Sequence, residues 1–302
     1  MNRILYKIII LIIFSGVFYF TAAQYQQYDY LKDPVLQGVQ INVIYKDSRG
    51  FLWFGTEEGL IKYDGYEFYN YTQSSGSNNS PGITSNKVTA ITEDHEKKLW
   101  IGTFQGGLNC FDPETDSFID FTQKYPTTTQ FAGQDINTIA IQSDGTIWIA
   151  YRDGGLDRFN PETGDIMNFQ NIKVNGKPVI INGVSALYFD KPGNLWIGTW
   201  DNGLCCTEQS EINKDWNKSM HFQDHSFRLN NETINKIYSI QEDQKGNLWF
   251  TSFGEGIFVY NPLNNAFRKL IVNDSPELDH PTNSRRLIVT SWNNLVFGGK
   301  SL

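Results

Sequence analysis

A tryptophan returns at Trp53, Trp100, Trp148, Trp196 and Trp249, at intervals of 47, 48, 48 and 53 residues, and Val296 stands 47 residues further on. Spacing this regular marks an array of supersecondary units that bury one another, and it constrains the fold before any single element is read. The sharpest copy reads Gly193-Asn194-Leu195-Trp196-Ile197-Gly198-Thr199, continued by Trp200-Asp201-Asn202-Gly203-Leu204.

Each unit contains four short β-branched or aromatic segments separated by turn residues. In the second copy these are Val88-Thr89-Ala90-Ile91-Thr92-Glu93, Leu99-Trp100-Ile101-Gly102-Thr103, Gly107-Leu108-Asn109-Cys110-Phe111 and Ser117-Phe118-Ile119-Asp120-Phe121. They read as strands. No segment beyond the first residues sustains a 3.6-residue apolar stripe, which excludes the helical repeat folds. Four antiparallel strands repeated about every 47 residues are the blades of a β-propeller. The expected fold is therefore all-β, with five complete blades and a partial sixth of an incomplete, seven-blade-type propeller. The blades are placed at residues 40–71, 86–121, 134–169, 182–222 and 232–270. The sixth begins at 286–290, turns at 292–294 and runs through 295–299. Residues 28–36 are a candidate closing strand. Because the sequence stops before a third strand of blade six, an incomplete propeller is expected, cut from a longer protein or truncated in its gene.

The turns carry their own chemistry. Asp47, Asp94, Asp190 and Asp243 stand six residues before the tryptophan, and Gly50, Gly145, Gly193 and Gly246 stand three before it. A carboxylate that bonds the backbone ahead of it, followed by a residue tolerant of positive φ, suits a tight hairpin. Gln142 and Lys97 are the exceptions. One aspartate per blade at equivalent turns keeps these carboxylates apart, so turn capping is expected rather than calcium binding or paired-carboxylate catalysis.

Residues 1–23 have the form of a secretory leader: basic Arg3 and Lys7, an apolar run from 8 to 20, and Thr21-Ala22-Ala23 as a cleavage site. The expectation is export to the periplasm with cleavage after Ala23, an uncleaved membrane anchor being the alternative. Residues 24–39 then form an N-terminal segment, and 40–302 the repeats. The net charge of −8 becomes more negative still once the leader's two basic residues are gone. Such a chain lacks the basic footprint of a nucleic-acid or anionic-lipid binder. Cys110, Cys205 and Cys206 are odd in number and lack metal spacing, so buried thiols are expected.

The wording Asp-x-x-Gly-x-Leu-Trp-Ile-Gly-Thr at 190–199, with Gly-Gly-Leu in two copies, resembles the two-component regulator propeller repeat. The opening unit, Asp47-Ser48-Arg49-Gly50-Phe51-Leu52-Trp53-Phe54-Gly55-Thr56 with Gly59-Leu60 and Tyr63-Asp64-Gly65, resembles the first repeat of such sensors. The resemblance spans nearly all of residues 40–299. It implies the periplasmic sensor portion of a hybrid two-component system of Bacteroidetes-like bacteria. It also implies signalling domains beyond this chain or a partner kinase, and oligosaccharides as ligands. No kinase, phosphoacceptor motif or second membrane segment is present in the sequence, so no catalytic activity is assigned to the chain itself.

If the first strand of each unit is innermost, the loop after the tryptophan strand and the link between blades share one face. Its first exposed positions hold Glu57, Phe104, Arg152, Trp200 and Phe253, and the next add Glu58, Gln105, Asp153 and Asp201. Aromatic rings that stack on sugar faces, beside groups that bond hydroxyls, suit a glycan-binding rim. The competing reading packs these aromatics between blades. The repeat tryptophans Trp53, Trp100, Trp148, Trp196 and Trp249 are read as structural, packed between blades.

Two further function classes compete. Gly246-Asn247-Leu248-Trp249-Phe250-Thr251 is similar to repeats of streptogramin-type lyase propellers, and that resemblance implies a histidine and a magnesium ion on the channel face. His95, His221, His225 and His280 are scattered, and no nucleophile elbow, phosphate loop or Cys-x-x-Cys pair occurs. No cofactor or metal is expected. The other class is a protein-interaction scaffold: an unclosed propeller exposes a strand edge that invites pairing, for instance as a homodimer.

Overall fold

Alternating β-branched and aromatic residues between glycine- and aspartate-rich turns pair here as a succession of antiparallel sheets. The computed structural model describes residues 34–73, 82–119, 124–125, 131–169, 171–175, 177–180, 183–212, 221–224, 228–229, 232–234, 236–252, 254–270, 284–289 and 295–299. Internal contacts divide the chain into residues 1–38 and 39–302. The leader and residues 28–33 of the expected closing strand lie outside the described residues, and residues 34–38 form a turn.

Blade one contains β1 (Ile41–Lys46), β2 (Leu52–Thr56), β3 (Leu60–Tyr63) and β4 (Phe68–Tyr71), paired in that order. Blade two contains β5 (Val88–Glu93), β6 (Leu99–Thr103), β7 (Gly107–Asp112) and β8 (Ser117–Phe118), and blade three β9 (Ile136–Ile141), β10 (Ile147–Tyr151), β11 (Leu156–Phe159) and β12 (Ile166–Phe169). A hairpin, β13 (Asn171–Val174) and β14 (Lys177–Ile180), follows. Blade four contains β15 (Val184–Phe189), β16 (Leu195–Thr199), β17 (Leu204–Thr207), the short helix α1 (Gln209–Ile212) and β18 (His221–Asp224). Next come a small hairpin, β19 (Arg228–Leu229) with β20 (Glu232–Thr233), and blade five, made of β21 (Ile237–Glu242), β22 (Leu248–Ser252), β23 (Gly256–Asn261) and β24 (Ala266–Lys269). Two strands of blade six are described, β25 (Ser284–Val289) and β26 (Leu295–Gly299).

Five four-stranded blades and a partial sixth match the expected architecture, with local corrections. Blade five starts at Ile237 rather than 232, because residues 232–233 pair with β19 instead. Blade four's sheet has six strands, because β13 pairs in parallel with β18 and carries β14 on its far side. The Asn175-Gly176 pair between β13 and β14 is a strong hairpin signal, and Asn175 holds φ 50. In a two-residue hairpin the pair after the turn does not exchange hydrogen bonds, so Pro178 faces outward. There its missing N–H blunts the new edge.

Inner strands of successive blades adjoin, β1 against β5, β5 against β9, β9 against β15 and β15 against β21. Each carries a bulge at its second residue, where the register slips by one. A bulge re-aims a side chain, and here it aims the polar group at the next blade. Asn42 Nδ2 donates to Val88 O (3.0 Å) and Thr89 Oγ1 to Ile136 O (2.6 Å). Asn137 Nδ2 donates to Val184 O, and Ser185 Oγ to Ile237 O.

The core consists of four clusters, one in each gap between blades one to five. The repeat tryptophan of one blade meets the apolar strand faces of the next: Trp53 lies with Ile91, Ile101 and Phe111, and Trp196 with Ile240, Phe250 and Tyr260. Trp53 and Trp148 are fully buried, and Trp100 and Trp196 nearly so. The glycine two residues past the tryptophan makes this closeness possible. A Cβ on Gly198 would stand 2.7 Å from Ile237 Cγ2.

The same carboxylate closes the turn and satisfies the indole. Asp47 Oδ1 accepts Arg49 N and Phe51 N, while Oδ2 accepts Trp53 Nε1 at 2.9 Å. Asp94, Asp190 and Asp243 take Trp100, Trp196 and Trp249 Nε1 at 2.7, 2.8 and 3.0 Å. The exceptions also resolve. Gln142 Oε1 accepts Trp148 Nε1 at 3.2 Å, leaving Asp144 to cap the turn through Thr146 N. Lys97 takes φ 64 where its counterparts are glycine. All three cysteines are free and buried, and burial pushes the Cys110 thiol up to about 12.

Candidate functional site

In blades one to four the first residue of the rim loop bonds back to the residue just before its own blade's inner strand. Glu57 N donates to Gln40 O, Phe104 N to Lys87 O, Arg152 N to Asp135 O and Trp200 N to Gly183 O, at 2.9–3.1 Å. Loops and links therefore lie together on one face, as the repeat predicts.

Three neighbouring blades bring part of the predicted rim into contact. Glu57 Oε2 pairs with Lys87 Nζ at 2.9 Å and its Oε1 accepts Asn42 Nδ2 at 3.0 Å. Lys87 Nζ then stands 5.1 Å from the centre of the Phe104 ring, and the Arg152 guanidinium carbon 5.4 Å from it. Two cations beside one ring leave Phe104 half-buried and occupied by its own neighbours. Gln105 takes φ 58, and its N–H donates to Asp135 Oδ1 at 2.7 Å. Glu58, Arg152, Asp153 and Asp201 are exposed.

Among the described rim aromatics, Trp200 is the one with a ring to offer. It is 41% exposed. Its indole leans on the backbone of Gly183, where a Cβ would come within 3.1 Å of Cδ1, and meets the Tyr238 ring of blade five edge-on at 5.0 Å. Asp201 and Asn202 follow it on the exposed loop. Phe253 lies outside the described residues. No hydrogen bond, ion pair or ring contact among the described residues joins Trp200 to Phe104 or Arg152, so the site has two parts. Lys87, Asn42, Asp135 and Tyr238 were not legible as site residues, because they sit in links or bulges whose placement depends on the neighbouring blade.

Beneath the rim of blade three lies a closed polar cluster. Asp157 is fully buried; Oδ2 accepts Tyr151 OH at 2.6 Å and Ala132 N at 2.8 Å, and Oδ1 accepts Asn168 Nδ2 at 2.6 Å. Burial pushes its carboxyl above the usual carboxylate range, against these three donors, which favour the charged form. Burial and the neighbouring Asp157 also push the Tyr151 phenol up.

Among the described residues no group of three or more His, Cys, Asp and Glu side chains is placed to hold a metal. His95 Nε2 lies 3.1 Å from Ser143 O in the turns of the opposite face. His225 and His280 lie outside the described residues. No described helix is long and apolar enough to cross a membrane.

Residues 36–58, 82–105, 178–201 and 231–254 match the two component regulator propeller family model. Each match runs through an inner strand to the rim position in blades one, two, four and five. Blade three, with Gln142 and Tyr151, is unmatched. The extracellular domain of a putative hybrid two component system from B. thetaiotaomicron is 22% identical over 86% of this chain and 38% of its own, with a TM-score of 0.58. PorZ, a surface component of the type-IX secretion system of Porphyromonas gingivalis, is 19% identical over 83% and 36%, at 0.60. A streptogramin B lyase is 13% identical over 85% and 75%, at 0.59. The chain thus spans well under half the length of the first two. At these identities the likeness concerns the fold. No curated protein sequence matches the chain.

Proposed function

From a chain whose blades carry two-component regulator propeller repeats, we infer an extracytoplasmic sensory module that binds a ligand on its rim and reports it through signalling domains or a partner kinase outside this chain. The ligand is a glycan fragment. The observation that carries this reading is the Trp200 ring, partly exposed and braced by Gly183 and Tyr238, beside the hydroxyl-bonding groups Asp201 and Asn202. Stacking of a sugar's apolar face on such a ring, with carboxylate and amide groups taking its hydroxyls, supplies affinity and orientation. The module performs no chemistry. Signalling follows from different affinities of the ligand for two states of the whole sensor.

An oligosaccharide array followed by calorimetry on the hits tests this reading. Trp200→Ala should abolish binding while leaving the melting temperature nearly unchanged, since the side chain lies at the surface. Binding retained by the variant would remove Trp200 from the site. The lyase reading has the shared fold in its favour and His95 on the face opposite the rim against it. Linearisation of a cyclic streptogramin that stops on chelation would establish that reading instead.

A further inference from the structure

In blades one, two and four the rim loops follow one plan, from which blade three departs. In blade one Thr56 Oγ1 donates to Gly59 O at 2.8 Å and accepts Glu58 N at 3.0 Å. Thr103 Oγ1 donates to Gly107 O at 2.9 Å, while Thr199 Oγ1 donates to Gly203 O at 3.1 Å and accepts Asn202 N at 2.9 Å. A buried hydroxyl at the strand end thus pins the loop that follows. Blade five keeps a hydroxyl, Ser252, whose Oγ is buried with no partner among the described residues. In blade three the position is Tyr151. Its phenol donates to the buried Asp157 instead.

Among the described residues no hydroxyl pins loop 152–155, whose Arg152 side chain lies against Phe104, and its backbone closure is long. Tyr151 N to Gly155 O is 3.4 Å and Gly154 N to Tyr151 O is 3.3 Å, against 3.0 Å for Thr56 N to Gly59 O and 2.9 Å for Thr199 N to Gly203 O. Gly154 and Gly155 hold φ of 103° and 90°, with many alternative conformations open to them. The same loop exposes Arg152 and Asp153. Next to it, blade four presents Trp200 on a loop pinned by Thr199.

We propose that residues 152–155 are an adaptable element of the rim: this loop moves to fit a ligand's polar groups while Trp200 stays fixed, and the Tyr151–Asp157 pair anchors its base. Its ligand-fitting role rests on the rim-binding reading above; its mobility does not, and is measured without ligand.

The test is amide hydrogen exchange on the full chain and on a Tyr151→Thr, Asp157→Asn double variant. The double variant gives blade three the pair that blade two carries as Thr103 and Asn109, whose Oδ1 accepts Thr84 N at 3.0 Å. Amides 153–155 of the unaltered chain should exchange about tenfold faster than 201–203, and the double variant should slow them by about tenfold, the effect of one or two restored hydroxyl bonds. Equal rates in the unaltered chain, or no slowing in a folded double variant, overturn the proposal. If loss of the phenol beside Gly133 prevents folding, Tyr151→Phe carries the test. Freeing the base should speed exchange at 153–155 several-fold, and an unchanged rate overturns the anchor. Binding retained by Trp200→Ala would instead refute the rim reading and leave these exchange rates untouched.

Discussion

Asp47→Ala isolates the interaction on which each blade turns. The carboxylate is 4% exposed and accepts Arg49 N at 3.1 Å, Phe51 N at 2.8 Å and the Trp53 indole N–H at 2.9 Å. The turn around Ser48 and Arg49 is exposed, so water reaches its amides once the carboxylate is gone, and each lost bond costs about 1 kcal/mol. Trp53 is 0% exposed. Its N–H finds no water, and an unmet buried donor costs about 1–3 kcal/mol. The loss should total about 3–5 kcal/mol by this bookkeeping. Urea unfolding followed by tryptophan fluorescence measures it, with Trp53→Phe and the double variant completing a cycle. Because phenylalanine has no N–H to strand, the cycle should return a coupling of about 1–3 kcal/mol. Gln142→Ala provides the internal comparison: Asp144 caps that turn, so the turn bond to Thr146 N should be spared while the indole bond is lost. A loss below about 1 kcal/mol for Asp47→Ala, or strict additivity with Trp53→Phe, would refute the dual role of the carboxylate.

Trp196→Ala should cost about 3–5 kcal/mol as a core aromatic lost from the gap between blades four and five, measured by the same titration. Gly198→Val should unfold or strongly destabilise the chain, because its Cβ would already stand 2.7 Å from Ile237; a variant with an unchanged melting temperature would contradict that packing. The folded-state pKa of Asp157 is raised, so its carboxylate subtracts stability as pH rises from its ordinary value near 3.8 through the raised value. Asp157→Asn should flatten this slope above pH about 3.8, as read by melting temperature against pH. Asp243 has the opposite sign. Burial opposes its ionisation, but donors from Trp249, Asn247 and Lys245 outweigh that and lower its pKa, so its contribution is present above about 3.8 and lost as pH falls through the lowered value. Asp243→Asn should remove that acid-limb loss.

Local chemistry repeated in register determined much of this protein from its sequence. The tryptophan spacing, the aspartates six residues ahead and the glycines between hairpins specify strand, turn, strand within about twenty residues, and such signals act through φ, ψ and the two-residue strand period. The blade count and buried cysteines followed, and so did the common face of loops and links. The hairpin β13–β14 was also written locally, in Asn175-Gly176, but lay outside the repeat and was overlooked. Tertiary structure decided which residues meet between blades. Asn42 bonding Val88, Lys87 joining Glu57 to Phe104, and Tyr238 bracing Trp200 link residues far apart in sequence, with no spacing rule. It also separated the rim aromatics, leaving Phe104 covered by cations and Trp200 exposed. The reason is geometric: a blade's own pleat orders its side chains, whereas the rim depends on how bulges and links set one blade against the next.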